Sequence, residues 1–450
     1  ALGHVGQRPP HCGLRIADCG MWKPSGATNS GRGEPREGRE SHRTHALRIG
    51  KYGLPIADCG IRNPKSEIAN GWRPPPVNVL LQKEPKSVEY GVGEDWSSVD
   101  MYDDGQHGEG LAAGGEFGAE IPPQPSYSIV RFRIVAEDEQ GAVGTSPDAD
   151  DMKSTYAYFC YDDEVASILP LYFLFVSEEN LRRLEELGSR DDYVPGTFVY
   201  EGHVYDDVGV RWYGSFSERV PTEKKNWRIK FNRWEKMHDV FRALSPAGVE
   251  FDVDSLILLG GDYDDPSLRG GACLKEMLTQ RVFWYAGCAY SATEYVRLQV
   301  NGSRYGLMLS VERPDTDYLE RNLRDRDGDL FQARSFPGQP PSNMSVLPSH
   351  DDYAFAYDRK TNRLQAHDVL TSLIEDLHNK PEEEIEEFFN NNFKVENYVS
   401  YLATATLAQS WVSPSRDYYL FRGKTGADGD ETYLWEVTPW GGEHDWACPS

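Results

Sequence analysis

The apolar residues of this chain follow two different periods, and the change between them divides its longest segment, residues 168–450. Alternating or continuous apolar runs predict strands early in this segment, at 171–176, 197–213 and 227–231. Asn301-Gly302 lies between two more strand patterns, and this dipeptide predicts a tight hairpin turn. Helices are predicted after Ser177 and at 274–286 before the hairpin, and they dominate after it, at 367–378, 382–389 and 396–411. Strands first and helices later predict an α+β fold.

The helix predicted at 274–286 carries an apolar stripe made of Leu274, Met277, Leu278 and Phe283. Residues at these spacings lie on one face of a helix, and such a face normally packs against the core. We therefore expect this stripe to be buried.

The preceding segment, residues 77–150, has the pattern of a small all-β sandwich. In the strand predicted at 128–136, Val130, Phe132 and Ile134 share one face while arginines occupy the other, as in a half-buried strand. Asp103-Asp104 lies upstream beside glycines. Two acids in this context favour a turn, with calcium binding as the alternative.

Residues 1–76 lack a sustained period and are rich in Gly, Pro, Arg and Ser, although an eight-residue motif at 13–20 recurs at 53–60. Such a segment buries too little apolar surface to offset its conformational entropy, so we predict a disordered N-terminal leader. It carries 12 Lys and Arg against 6 Asp and Glu. A basic tail that binds an acidic surface is therefore the alternative interpretation.

The overall charge and the cysteine pattern exclude several functional classes. A formal net charge of -25 argues against nucleic acid or an anionic membrane as the main partner, because both require a basic surface. No apolar run is long enough to predict a membrane span, and no signal peptide is recognisable at the start. The 7 cysteines occur singly, which favours reduced thiols over a zinc site or a disulfide framework.

Several short sequence motifs follow one another along 168–440. They comprise Val-Gly-Val-Arg-Trp-Tyr-Gly-Ser at 208–215, Lys-Lys-Asn-Trp-Arg-Ile-Lys-Phe at 224–231, Val-Asn-Gly with Tyr-Gly-Leu and a final Val-Glu at 300–312, Leu-Phe-Gln-Ala at 330–333, and a hairpin pattern at 415–440 that ends in Pro-Trp. In this order they resemble the CotH family of atypical, protein-kinase-like enzymes. The resemblance implies a two-lobed kinase-like domain over 168–450, cut short relative to the family. It also suggests that the module at 77–150 is the Ig- or fibronectin-like kind that precedes such domains.

The resemblance implies a site for ATP and Mg²⁺, because phosphoryl transfer needs cations on the triphosphate and acids that hold the metal. Lys225 is the candidate phosphate-binding lysine, since alternation places it on the apolar face of its strand. Glu312 is the glutamate expected to pair with it, and Arg211 and Lys230 complete the predicted nucleotide-binding residues. The alternative is that these lysines only solvate a sheet edge.

The acids that the family uses are missing from their positions. Val412 occupies the position of the catalytic Asp, so no catalytic residue is identified there, and Gly441 occupies that of the metal-binding Asp. Glu443 and Asp445 are the substitutes predicted for the metal site. A second acidic stretch, Asp325 to Asp329, begins like a calcium loop, but its Gly328 comes too early, so a turn is expected.

Two functions from different classes follow from the resemblance. One is a kinase that transfers the γ-phosphate of ATP to protein Ser or Thr with Mg²⁺. The other is a catalytically inactive pseudokinase or structural, binding protein. The expected partners are a protein substrate or a surface or coat partner. The expected location is secreted, on the cell surface or in the coat of a bacterium.

Overall fold

The computed structural model of the chain describes residues 11–15, 47–49, 84–107, 112–113, 117–138, 140–160, 167–187, 192–214, 224–238, 240–241, 252–260, 273–334, 339–410, 417–424, 432–441 and 446. The chain forms two compact units. The first comprises residues 1–167 with 201–204, and the second comprises residues 168–200 with 205–450.

The first unit is built from antiparallel strands in two sheets. Its strands are β1 (His11–Arg15), β2 (Leu47–Ile49), β3 (Glu84–Val92), β4 (Asp95–Asp100), β5 (Phe117–Pro125), β6 (Ser128–Glu137), β7 (Val143–Ser146) and β8 (Tyr156–Cys160). One sheet has the order β1-β5-β2, and the other has the order β4-β3-β6-β7 with β8 also paired to β6. The predicted alternation in β6 is confirmed, because Val130, Phe132 and Ile134 are buried.

Three features of this unit differ from the sequence-based expectations or refine them. β1 and β2 fall inside the segment predicted as a disordered leader and pair with β5, while the rest of residues 1–76 lies outside the described residues. β8 pairs with β6 beyond the predicted end of the module at residue 150. The carboxylate of Asp104 accepts a hydrogen bond from the backbone N–H of Gln106 at 2.9 Å, as the turn interpretation expects.

The second unit begins with a closed barrel of seven strands. These are β9 (Leu171–Phe175), β10 (Val194–Tyr200), β11 (His203–Trp212), β12 (Trp227–Lys230), β13 (Ser255–Leu259), β14 (Thr293–Val300) and β15 (Ser303–Glu312). The order is β10-β11-β12-β13-β15-β14-β9, and β9 closes the barrel on β10. Because side chains alternate along each strand, the inward ones fill the interior with apolar groups such as Tyr172, Phe198, Trp227 and Ile229.

Helices and a four-stranded sheet form the rest of this unit. The helices are α1 (Glu178–Leu187), α2 (Leu274–Tyr285), α3 (Thr316–Arg321), α4 (His350–Ala356), α5 (Asp368–Asn379), α6 (Ile385–Asn392) and α7 (Val395–Leu407). The four-stranded sheet contains β16 (Asp329–Ala333), β17 (Tyr357–Arg359), β18 (Tyr418–Lys424) and β19 (Tyr433–Pro439) in the order β17-β16-β18-β19. The predicted α+β class is confirmed. Among the described residues no helix has the length and apolar character needed to cross a membrane.

Helix α2 lies where it was predicted, but the stripe expected to be buried is buried only in part: Phe283 is buried and Met277 is half-buried. Leu274 and Leu278 are 53% and 39% exposed, whereas Glu276 and Gln280 are buried. The buried side chains form hydrogen bonds with each other and with the nearby backbone. The Gln280 amide donates to the Glu276 carboxylate at 3.0 Å and accepts from the backbone N–H of Ser291 at 2.9 Å. Hydrogen bonding therefore outweighs apolar periodicity at this contact.

Candidate functional site

The outward-facing side of β11, β12 and β15 carries a group of positive charges. Arg211 and Arg228 are directly opposite each other across the β11–β12 pair, and Lys230 follows Arg228 on the same face. Arg313 comes directly after β15 at the same edge of the barrel. We call these four residues the cation cluster. Like charges in opposed positions are unfavourable in a sheet, so a structural role alone does not account for the arrangement.

An aromatic ring holds three members of the cation cluster in place. The ring centroid of Tyr193 lies 5.5 Å from the guanidinium carbon of Arg211, 5.9 Å from that of Arg228 and 5.9 Å from Nζ of Lys230. Gly209 makes room for this ring, because a Cβ at that position would lie 3.0 Å from it. Cation–π attraction fixes the cations without neutralising their charge.

The members of the cation cluster are close enough to affect one another. Burial lowers the pKa of Arg228, and the neighbouring charges of Arg313 and Arg211 lower it further. Arg228 donates to the hydroxyl of Ser255 at 3.4 Å. Within the part of the chain that the structure describes, neither Arg228 nor Arg313 forms an ion pair with a carboxylate. The site therefore favours an anionic ligand.

An apolar surface adjoins the cation cluster on the same side of the barrel. We call Tyr213 and Trp440 the apolar shelf; both are half-buried and pack over the buried side chains of Ile257, Leu309 and Val311. Trp440 also meets the ring of Tyr419 edge to face, with centroids 5.6 Å apart. The barrel and the four-stranded sheet thus meet beside a surface that is apolar at one end and positive at the other. A nucleotide has two matching parts, because its base is a flat ring and its phosphates are negatively charged.

The structure does not bring Lys225 and Glu312 together. The hydroxyl of Tyr305 hydrogen-bonds the backbone of Lys225, and Tyr305 lies seven positions before Glu312 on β15. Seven residues of extended strand span about 23 Å. Nζ of Lys225 lies 4.8 Å from the ring centroid of Trp212. Alternation did place Lys225 on an apolar face, but that face is the barrel interior, whereas Arg228 and Lys230 occupy the outside.

Glu312 has a different partner from the one predicted. Its carboxylate lies 2.7 Å from the guanidinium of Arg321 on α3 and accepts a hydrogen bond from the backbone N–H of Ala292 at 2.9 Å. Arg321 also donates to the carbonyl of Tyr290. The side chains of Glu312 and Arg321 are 4% and 2% exposed. This pair fastens the end of β15 to α3 and leaves no surface for a ligand.

The predicted metal-binding positions are only partly described. Gly441 follows Trp440 with a φ of 74° and has no side chain to offer a cation. Val412, Glu443 and Asp445 lie outside the described residues. Among the residues that are described, no group of three His, Cys, Asp or Glu side chains is placed to hold a metal ion. Gly441, which occupies the one predicted metal position that the structure describes, therefore does not fit Mg²⁺.

The acidic stretch from Asp325 to Asp329 forms the expected turn. The carboxylate of Asp325 accepts from the backbone N–H of Asp327 at 3.1 Å and from that of Lys424 at 3.0 Å. Asp329 pairs with the guanidinium of Arg359. These bonds use the carboxylates to join β16, β17 and β18.

Sequence reasoning missed three important site residues: Arg228, Arg313 and Tyr193. A signal for Arg228 was present, because it shares the parity of Lys230 on a strand whose other face is apolar. Arg313 and Tyr193 had no such signal. Each comes to the site only through the pairing of strands that are distant in sequence.

Comparison with known proteins adds two findings. A family model described as CotH kinase protein matches residues 210–449, which include the whole cation cluster. Inner spore coat protein H of Bacillus subtilis (strain 168) is 25% identical over 286 residues, covering 62% of this chain and 70% of that protein.

Proposed function

This chain belongs to the CotH family, and we propose that it binds a nucleoside triphosphate such as ATP on the outside of its barrel without efficient phosphoryl transfer. The phosphates lie on the cation cluster and the base lies toward the apolar shelf. The observation that carries this proposal is the pair Arg228 and Arg313, whose charges are held together in a protein with a net charge of -25. An acidic protein concentrates cations in this way where an anion is bound.

Weak or absent transfer follows from the residues at the family's acid positions. Val412 can neither accept a proton nor bind a metal, and Gly441 offers no ligand. Preorganised charges at the reacting centre are typically the largest contribution to catalysis, and the loss of one costs about 3 kcal/mol of transition-state stabilisation. A kinase-like domain that binds ATP but lacks these acids is a pseudokinase.

ATP titration of the full chain by calorimetry tests the proposal. Hydrogen bonds to charged groups contribute about 1.5–3 kcal/mol, so Arg228→Gln should weaken ATP binding by about tenfold or more. Lys225→Gln is the matched control, because it removes a lysine from the interior side of the same strand segment and should change the affinity by less than about twofold. Absence of ATP binding by the parent chain would refute the proposed function. A larger loss of ATP affinity in Lys225→Gln than in Arg228→Gln would indicate that the nucleotide binds at Lys225, the lysine predicted from the sequence.

An active kinase is the second candidate. It is favoured by the description of the matching family model as CotH kinase protein and by the position of Glu443 and Asp445 just after Gly441. In this alternative those two carboxylates hold Mg²⁺, and the reaction transfers the γ-phosphate to protein Ser or Thr. Phosphate transfer to a Ser- and Thr-containing protein, measured with Mg²⁺ or Mn²⁺, would support it if Glu443→Gln with Asp445→Asn abolished the product.

The proposal extends to architecture, location and partners. We infer a two-lobed kinase-like arrangement for residues 168–450, with the barrel in one lobe and most helices in the other. The all-β unit before it is proposed as an Ig- or fibronectin-like module. The name of the Bacillus subtilis relative assigns that protein to the inner spore coat. By analogy we propose a coat or cell-surface location for this chain, with a coat protein as its partner.

A further inference from the structure

A second group of cations lies on the four-stranded sheet. Lys360 directly follows β17, and its Nζ lies 2.5 Å from the carboxylate of Asp358. Arg334 lies 3.4 Å from the same carboxylate. One acid therefore serves two cations, so this group keeps a net positive charge. The Lys360 side chain is only 10% exposed, which makes it a fixed charge rather than a mobile surface lysine.

Arg313 connects this group with the cation cluster. Its charge lowers the pKa of Arg228 on the barrel and also that of Lys360 on the four-stranded sheet. Burial, with the neighbouring charges of Arg313 and Arg334, lowers the pKa of Lys360 to about 8 despite the opposing attraction of Asp358. The sheet register agrees, because Asp358 is opposite Gln332 and Gln332 is opposite Tyr419, whose ring meets that of Trp440 in the apolar shelf. Positive charges from the two layers therefore converge on one place.

We propose that Arg313 and Lys360 supply the positive charge that a divalent metal supplies in kinase-like sites, so that the cation cluster together with Lys360 binds a triphosphate chain without a metal. The inference rests on the proposed function, because it concerns the same site. A metal-free triphosphate needs several cations at fixed positions, and Lys and Arg are the side chains that provide them. Gly441, which cannot bind a metal, agrees with this assignment.

The experiment compares ATP binding in excess EDTA with binding in Mg²⁺, using the full chain. The expected result is measurable ATP affinity in EDTA that differs from the affinity in Mg²⁺ by less than about threefold. Lys360→Met and Arg313→Gln should each weaken binding in EDTA by about tenfold. Lys380→Met is the control and should not change it, since Lys380 pairs with Glu384 on the protein surface.

The outcomes separate the two proposals. ATP binding that occurs in Mg²⁺ but is lost in EDTA would overturn metal independence and leave the proposed function in place. Absence of binding in both conditions would overturn the proposed function and this inference with it. Unchanged affinity in both Lys360→Met and Arg313→Gln would overturn the role of these residues. Circular dichroism checks the fold of each variant. If Lys360→Met does not fold, the affinity of Arg313→Gln alone tests the role of these residues.

A pH series provides a readout that a purely structural lysine would not change. The affinity for ATP in EDTA should fall as the pH rises above about 8, because Lys360 then loses its proton. The groups that face Lys360 are Asp358, Arg334 and Arg313, and only the lysine changes charge in this range. The decline should be absent in Lys360→Met.

Tripolyphosphate should compete with ATP whereas adenosine should not, which identifies the phosphate chain as the group recognised.

Discussion

Arg321 forms the most deeply buried ion pair described in the second unit, and its loss should be severe. Replacement of Arg321 by Met leaves the Glu312 carboxylate buried without its cation. Removing one partner of such a pair costs about 3–5 kcal/mol, so we expect the free energy of unfolding in urea to fall by that amount. The double variant Glu312→Gln with Arg321→Met should recover part of the loss.

The control for this prediction is an exposed ion pair between Glu320 on the same helix and Arg326, which follows the helix. Arg326 lies 2.7 Å from Glu320, and both side chains are more than half exposed. Surface pairs contribute about 0–1 kcal/mol, so Arg326→Met should have little effect. Equal losses in the two Arg variants would contradict the assignment of Glu312 to a structural role.

Asp315 should make stability depend on pH in an unusual direction. Burial raises its pKa to about 7, with repulsion from Asp254 adding to the shift and Arg313 opposing it. An acid whose pKa is raised by folding binds its proton more tightly in the folded state. Its contribution to stability is therefore lost as the pH rises from about 4 to 7.

Asp315→Asn tests this pH dependence and keeps the cap of α3, where Asp315 accepts from the backbone N–H of Asp317 at 3.0 Å. Between pH 5 and 8 the free energy of unfolding of the parent should fall by about 2 kcal/mol more than that of Asp315→Asn. Asp351→Asn, at an exposed position of α4, should behave like the parent. Parallel pH curves for the parent and Asp315→Asn would contradict the prediction.

At the scale of elements, the hairpin of β14 and β15 was the most predictable feature. Asn301 and Gly302 have φ values of 49° and 74°, as the tight turn predicted from this dipeptide requires. The Asn301 side chain also donates to the carbonyl of Val176 at 2.8 Å and accepts from its N–H at 2.9 Å. The turn thus joins the hairpin to the end of β9.

Asn301→Ala should destabilise the barrel by about 2–3 kcal/mol, because it removes two partly buried hydrogen bonds and places Ala at a positive φ. Asn301→Asp keeps the acceptor and tolerates this φ, so its loss should be about half as large. Urea denaturation followed by tryptophan fluorescence measures both. Equal stability of the Ala variant and the parent would show that the turn does not tie β9 to the hairpin.

Local patterns predicted most elements, but not how they combine. The periods of apolar residues identified β12, β14 and β15 and most of the long helices, since these signals are local. The short strand β13 was missed, although it pairs with both β12 and β15 and completes the barrel. Without it, the apolar face of β12 could not be recognised as an interior. Lys225 was therefore assigned to a ligand site, although the face that it shares with Trp227 and Ile229 is the barrel interior.

At the scale of the whole molecule, the two units have separate cores. That of the first includes Ile134 and Phe132, and that of the second surrounds Tyr172 and Phe198. We expect calorimetry to resolve two unfolding transitions, because separate domains depart from two-state behaviour. Ile134→Ala should lower the midpoint of one transition and Asn301→Ala that of the other. A single transition moved by both variants would contradict the division.

The closed barrel has a further consequence for behaviour at high concentration. A strand at the edge of an open sheet presents unpaired backbone groups on which another chain can add a strand. Closure between β9 and β10 leaves the barrel without such a template. In the first unit β4 is the outermost strand of its sheet and has Asp95 and Asp100 at its ends. Negative charges there discourage strand addition at this edge, so neither the barrel nor β4 favours sheet-to-sheet aggregation where molecules are crowded together.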